Sequence, residues 1–201
     1  MSEQEIEVKF YIRDLPGLEN KLQLLGADLS QSRVHETNFR YDTAHGALSS
    51  ARRVLRLRQD NQTHLTYKGP AMEGQEVSVR QEIEFEVSDF EAARHFLEAL
   101  GYRLSIMYEK YRTTYEISGV TMVLDELPYG TFAEIEGPDP NSIQIIAAAL
   151  RLNWNARCLE SYLGLFLRLR ARLNLDATHL SFEALKGVGF SPEDLGIEYA
   201  D

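Results

Sequence analysis

The chain has 201 residues, of which 44% are hydrophobic and 26% charged, with a net charge of −10 and a pI near 5.0. This is enough apolar material for one domain or a domain with an appendage. The acidic balance opposes binding a polyanion such as DNA through a broad surface, yet leaves room for a small anion in a local basic pocket.

The N-terminus, MSEQEIEV, has neither a basic start nor an apolar core, so it does not read as a signal peptide. Residues 4–12 follow as a strand. Ile6, Val8 and Phe10 fall on one face, and Glu5, Glu7 and Lys9 on the other. DLPGLENKLQLLGA (14–27) reads as a helix, with Asp14 as N-cap, Pro16 in the first turn and Gly26 as the stop. Strands are expected at 34–43, 52–60, 63–69 and 76–88. A second helix, SDFEAARHFLEALG (88–101), carries Ser88 as cap and Glu91 in a capping-box position. Strands at 104–117, 120–126 and 130–137 complete this region. After Pro138 and Pro140 the pattern turns helical, through NSIQIIAAALRLN and ARCLESYLGLFLRLRARL, and the tail from about 174 suggests one short helix and a turn. EIEVKF with a helix ending LLG is echoed by EIEFEV with a helix ending ALG, which suggests two related halves.

The charged strand faces carry the functional signal. Arg56 and Arg58 alternate with Leu55 and Leu57; Thr66 and Lys68 oppose Leu65 and Tyr67. Ser78, Arg80, Glu82, Glu84 and Glu86 oppose Val77, Val79, Ile83, Phe85 and Val87. Lys110 and Arg112, then Asp125, then Glu134 and Glu136 repeat the pattern on the last three strands. A single strand of this kind is ordinary surface. About seven such strands suggest an antiparallel sheet closed into a barrel, charged inside and packed against helices outside. The polar faces hold seven cations (Lys9, Arg56, Arg58, Lys68, Arg80, Lys110, Arg112). They also hold seven carboxylates, leaving out the marginal Glu86 (Glu5, Glu7, Glu82, Glu84, Asp125, Glu134, Glu136).

Confining one sign alone would be costly, since two like charges about 4 Å apart repel by roughly 4 kcal/mol at an effective dielectric of 20. A near-balanced set suits a ligand that needs both signs, namely a phosphate chain with divalent cations. Arginine meets phosphate oxygens as a fork and lysine as a point charge. Carboxylates hold Mg²⁺ or Mn²⁺. Neither a GxxxxGK[ST] loop nor a GxGxxG motif is present.

These residues together resemble the CYTH superfamily, the triphosphate tunnel metalloenzymes. The match runs from EIEVK (5–9) through LRLR (55–58), LTYKG (65–69), RQEIE (80–84), EKYR (109–112) and LDELPYG (124–130) to EIEG (134–137), in order. It is weaker over SYLGL (161–165). The resemblance implies an α+β fold: a closed eight-stranded antiparallel tunnel with a charged interior and helices outside. The tunnel domain would span 1–172, followed by a C-terminal tail, 173–201. It also implies a triphosphate-bearing substrate and Mg²⁺ or Mn²⁺. Carried over, Lys9, Arg56, Arg58, Lys68, Lys110 and Arg112 would bind phosphates, and Arg80 lines the same face by its own alternation. Glu5, Glu7, Asp125, Glu134 and Glu136 would hold metal or orient water, with Glu5, Glu7, Lys9, Glu134 and Glu136 the catalytic candidates. Glu82 and Glu84 are expected to face the tunnel. Tyr41 sits where the family often has a tyrosine near the tunnel mouth and, by that resemblance, is expected to face the tunnel. RQEIE departs from a plain REIE block, which makes this segment the least regular.

The remaining candidates read as structure. Cys158 has no CxxC or histidine partner pattern. His35, His45, His64, His95 and His179 show no HxxxH spacing, and Trp154 reads as a core anchor. No apolar run approaches the roughly 20 residues of a membrane span. The expectation is a cytoplasmic enzyme acting on tripolyphosphate, thiamine triphosphate or a nucleoside triphosphate such as ATP. No nucleic-acid polymer and no membrane is expected as a partner, and the oligomeric state is open, a homodimer included. A metal-dependent triphosphatase is the first reading, a class IV adenylyl cyclase the alternative, and a non-catalytic triphosphate-binding module the second alternative.

Overall fold

The computed structural model describes residues 3–201. Alternation of apolar and polar side chains sets the strands, and their pairing closes a ring. The first half runs β1 (Glu3–Ile12), α1 (Leu15–Leu24), β2 (Asp28–Asp42), α2 (Ala47–Ser50), β3 (Val54–Gln59) and β4 (Thr63–Lys68). The second half runs β5 (Ser78–Glu86), α3 (Phe90–Ala99), β6 (Arg103–Ile117), β7 (Val120–Leu127) and β8 (Gly130–Glu136). The strand order is β5-β4-β3-β2-β6-β7-β8-β1, and β1 pairs back onto β5, so eight antiparallel strands form a closed ring. Exchanging β1–β4 with β5–β8 leaves every pairing in place. The two halves suggested by the EIEVKF and EIEFEV segments are thus related by an approximate two-fold in topology.

The helix signals act as expected at α1, where Asp14 accepts from the Gly17 amide at 3.0 Å. At α3 the cap is Asp89 rather than Ser88: its carboxylate accepts from the Ala92 amide at 2.9 Å. β2 is longer than its sequence pattern, because Asp28–Arg33 pairs with β6 without an apolar alternation to advertise it. After α4 (Pro140–Ala149) the chain does not go straight into a helix. Arg157–Cys158 forms a two-residue strand, β9, against Lys9 and Phe10 of β1, and α5 runs only from Tyr162 to Leu173. A last short helix, α6, covers Pro192–Leu195.

Two apolar clusters position the cavity. Outside the ring, Val8, Phe10, Met122, Leu124 and Ile135 pack under Leu18 and Leu22 of α1 and Ile143 and Ile146 of α4. The second cluster lies on the inward faces. Tyr11 is two residues beyond Lys9, Phe132 two before Glu134, Tyr108 two before Lys110 and Leu127 two after Asp125, so each shares a face with a charged neighbour. At this end the inward faces turn apolar, and Tyr162, Leu165, Phe166 and Leu169 of α5 pack on them. The tail adds to this cover. Leu180 bonds the backbone of Met107 and Glu109, and Tyr199 stacks on Tyr11 at 4.6 Å.

No helix among the described residues is long and apolar enough to cross a membrane.

Candidate active site

The inward faces of the ring enclose a cavity of about 600 Å³. β1 contributes Glu5, Glu7 and Lys9, all buried. β8 contributes Glu134 and Glu136; β3, Arg56 and Arg58; β4, Lys68; β5, Arg80, Glu82 and Glu84; and β6, Lys110 and Arg112. The structure thus brings together on one lining nearly all of the side chains picked out by alternation. In the ring order β1 and β2 are four strands apart on either path, so they face each other across it. The wall made by β8, β1 and β5 carries most of the carboxylates. The wall made by β3, β2 and β6 carries arginines, Lys110 and a tyrosine.

The charges are cross-braced. Lys9 Nζ lies 2.5 Å from Glu7 Oε1 and 3.4 Å from Glu134 Oε1. Burial alone would lower the Lys9 pKa, but Glu7 and Glu134 outweigh it and keep the ammonium charged. Lys68 Nζ bridges Glu5 at 2.5 Å and Glu82 at 3.2 Å. Glu84 accepts from Arg56 at 3.1 Å, Arg58 at 3.2 Å and the Thr66 hydroxyl at 2.6 Å. Against the opposing pull of burial, Arg58 and Arg56 lower the Glu84 carboxyl to about 2.

Two positions correct the sequence reading, and four residues add to it. Tyr41 does not face the cavity: it is buried outside the ring with Leu57 and Leu97. In β2 the inward residues are Glu36, Asn38 and Arg40, and Tyr41 follows a register shift after Arg40. Asp125 is fully buried and taken up by donors. Lys110 Nζ lies 3.0 Å away, the Arg112 guanidinium bonds both its oxygens at 2.8 and 2.6 Å, and the Tyr162 hydroxyl donates at 2.9 Å. It therefore anchors two cations and is not among the carboxylates open to a metal. Finally, the sequence reading omitted Glu36, Arg40, Tyr108 and Tyr162. Glu36 is buried, 3.5 Å from Lys110 Nζ and 3.8 Å from Arg112 Nε. Arg56 reaches the Tyr108 hydroxyl at 3.5 Å. Alternation in HETNFRY would have found Glu36 and Arg40; Tyr162 lies within the weaker SYLGL match, which does not show that its hydroxyl enters the ring.

The remaining carboxylates fit a divalent cation. Glu5 Oε2 is buried with no hydrogen-bond partner. Glu136, at the solvent-exposed rim, has its carboxyl pushed up to about 7 by local burial and then by Glu5 and Glu7. That is the signature of negative charge gathered beyond its neutralising partners. Among the described residues no three His, Cys, Asp or Glu side chains converge as a complete metal cage. A Mg²⁺ or Mn²⁺ ion held by Glu5, Glu7, Glu134 or Glu136 would draw the rest of its shell from water and phosphate oxygens, as hard cations at phosphate sites do.

Comparison with known proteins agrees with this fold. The CYTH domain family matches residues 3–157. A Vibrio parahaemolyticus structure described as a candidate adenylate cyclase is similar with a TM-score of 0.73 at 20% identity, covering 81% of this chain and 97% of that one. The PH1819 protein from Pyrococcus horikoshii OT3 is similar with a TM-score of 0.68 at 27% identity, covering 81% and 98%. HpAC1 from Hippeastrum, a candidate adenylyl cyclase described as having a dominant triphosphatase activity, gives 0.61 at 19% identity, covering 81% and 95%. No curated protein matches.

Proposed function

The chain belongs to the CYTH domain family, and from that premise we propose that it is a metal-dependent phosphohydrolase acting on a triphosphate-bearing substrate inside the ring. The observation that supports this reading is the opposition of a carboxylate wall to an arginine-rich wall within one cavity of about 600 Å³. A phosphate chain lying between them would meet Arg56, Arg58, Lys110 and Arg112 on one side. Lys9, Lys68 and Arg80 would reach it from the other.

Bound Mg²⁺ or Mn²⁺ would neutralise phosphate charge and polarise a phosphoryl oxygen. The protein's own part is positional and electrostatic. The guanidinium groups hold the chain in line and take up charge on the departing oxygen. Glu136, in the cavity lining beside Glu5 and Glu7, would accept the proton of a water as the water's oxygen bonds to the terminal phosphorus. The bridging P–O bond then breaks. From tripolyphosphate the products are orthophosphate and pyrophosphate.

Hydrolysis is favoured over cyclisation by the lining itself. Its few uncharged side chains include Tyr108 and Tyr162, and both hydroxyls are committed within the protein. Among the described residues the other uncharged members of the lining are Gln4, Val54, Val123, Ser161 and Leu163, none of them aromatic. The test is an incubation series with tripolyphosphate, ATP and thiamine triphosphate, each with Mg²⁺ or Mn²⁺, assayed for orthophosphate, pyrophosphate and cyclic AMP. Orthophosphate without cyclic AMP is expected. Cyclic AMP with stoichiometric pyrophosphate from ATP would make the protein a cyclase, and tight binding without turnover a binding module.

A further inference from the structure

Arg40 stands apart from the other cations of the cavity. Lys9, Arg56, Arg58, Lys68, Arg80, Lys110 and Arg112 each have a carboxylate within 4.0 Å. Arg40 lines the same cavity and, among the described residues, has none. Its Nε is buried without a hydrogen-bond partner. Its direct partner across the strand pair is Arg56, another inward arginine. Burial pushes its pKa below the ordinary value against the opposing effect of Tyr108, and Arg56 and Arg80 add to the lowering, with Asp42 opposing them least. Like charges directly opposite one another destabilise a strand pair, and a desolvated charge without a partner is costlier still. A fold that keeps this arrangement is arranged for an anion that arrives from outside.

We propose that Arg40 is a substrate-binding residue that, with Arg56 directly opposite it on β3, forms a two-guanidinium seat for one phosphate group of the substrate. The proposal rests on the triphosphate reading above and deepens it: it assigns a phosphate contact on β2, a strand from which the sequence motifs take none. Arg56 is already paired with Glu84. Arg40 therefore supplies the un-neutralised charge of the seat, and its planar fork matches two phosphate oxygens.

The test pairs affinity with stability, because the two move in opposite directions only if Arg40 serves the ligand. Arg40→Gln and Arg40→Lys would be titrated with inorganic tripolyphosphate in EDTA, which prevents turnover, and melted without ligand. For Arg40→Gln, the dissociation constant should rise about ten-fold or more, as for loss of a hydrogen bond to a charged group. The ligand-free melting temperature should stay level or rise, because the repulsion with Arg56 is gone. Arg40→Lys, which keeps the charge but loses the fork, should fall between and gives a folded comparison if Arg40→Gln folds poorly. An unchanged dissociation constant, or unchanged KM in Mg²⁺, in a variant of otherwise active protein overturns the role of Arg40 alone. Wild-type protein that neither binds tripolyphosphate nor turns it over with Mg²⁺ or Mn²⁺ overturns the functional reading with it.

Discussion

The Tyr162 hydroxyl donates to Asp125 Oδ2 at 2.9 Å, so the first turn of α5 is tied to the carboxylate that anchors Lys110 and Arg112. The same ring lies 5.7 Å from Lys9 Nζ and 5.5 Å from Lys110 Nζ. One side chain thus closes one end of the cavity and braces its floor. Tyr162→Phe keeps the ring and removes one charge-assisted hydrogen bond, a loss of about 1.5 kcal/mol. Thermal melts should show a drop of about 5 °C. An unchanged melting temperature would mean that the bond contributes nothing.

Glu134 accepts from Arg112 Nη2 at 2.7 Å and lies beside Lys9. Glu134→Gln retains an oxygen for Arg112 but removes the charge. Turnover of tripolyphosphate should fall about 100-fold or more, the usual scale for losing an acid–base or electrostatic group, while circular dichroism stays that of the wild type. Undiminished turnover would remove Glu134 from the site.

Glu36 sets an acid limit on stability. Burial alone would raise its pKa, but Lys110 and Arg112 lower it to about 2. A carboxyl with a lower pKa in the folded state contributes stability above the unfolded value near 4.5, and this is lost as pH falls through the folded value. Glu36→Gln should cost about 3 kcal/mol at pH 7, since it leaves buried cations short of a partner. In denaturant titrations the gap to wild type should narrow between about pH 4.5 and 2. A gap independent of pH would point to packing rather than charge.

Glu136 behaves in the opposite sense. Its folded pKa, near 7, lies above the unfolded value, so the folded state binds the extra proton and metal-free stability declines as pH rises from about 4.5 to 7. Water at the rim screens part of this repulsion. In EDTA at pH 8, Glu136→Gln should melt on the order of 2 °C above wild type, and the difference should vanish near pH 4.5. A variant less stable than wild type at pH 8 would show that the ionised carboxylate has a partner.

The strands were legible where an apolar face packs outside the ring and a polar face lines it, which sets the alternation at Glu5–Phe10 and Val54–Arg58; along Ser78–Glu86 the alternation persists although Ile83 and Phe85 are exposed on the outer face. Where that constraint lapses, so does the signal. Asp28–Arg33 of β2 is largely exposed and shows no alternation. Tyr41 was assigned inward from family likeness, whereas the phase of Glu36, Asn38 and Arg40 puts its neighbour there instead. Tyr162 was out of reach for a different reason: whether a helix residue enters a barrel depends on where the helix docks, and periodicity carries no such information.

β1 is the strand on which the ring closes. It carries Glu5, Glu7 and Lys9, yet its partners come from β8, where Lys9 faces Glu134, and β5, where Glu5 faces Arg80. Neither neighbour is local, so during synthesis the first strand emerges long before anything exists to pair with it. Folds dominated by such distant pairings reach their native state in milliseconds to seconds rather than microseconds. In the interval, the charged face of EIEVK keeps that waiting edge hydrated. The charged side chains that line the finished ring thereby keep the waiting strand in water.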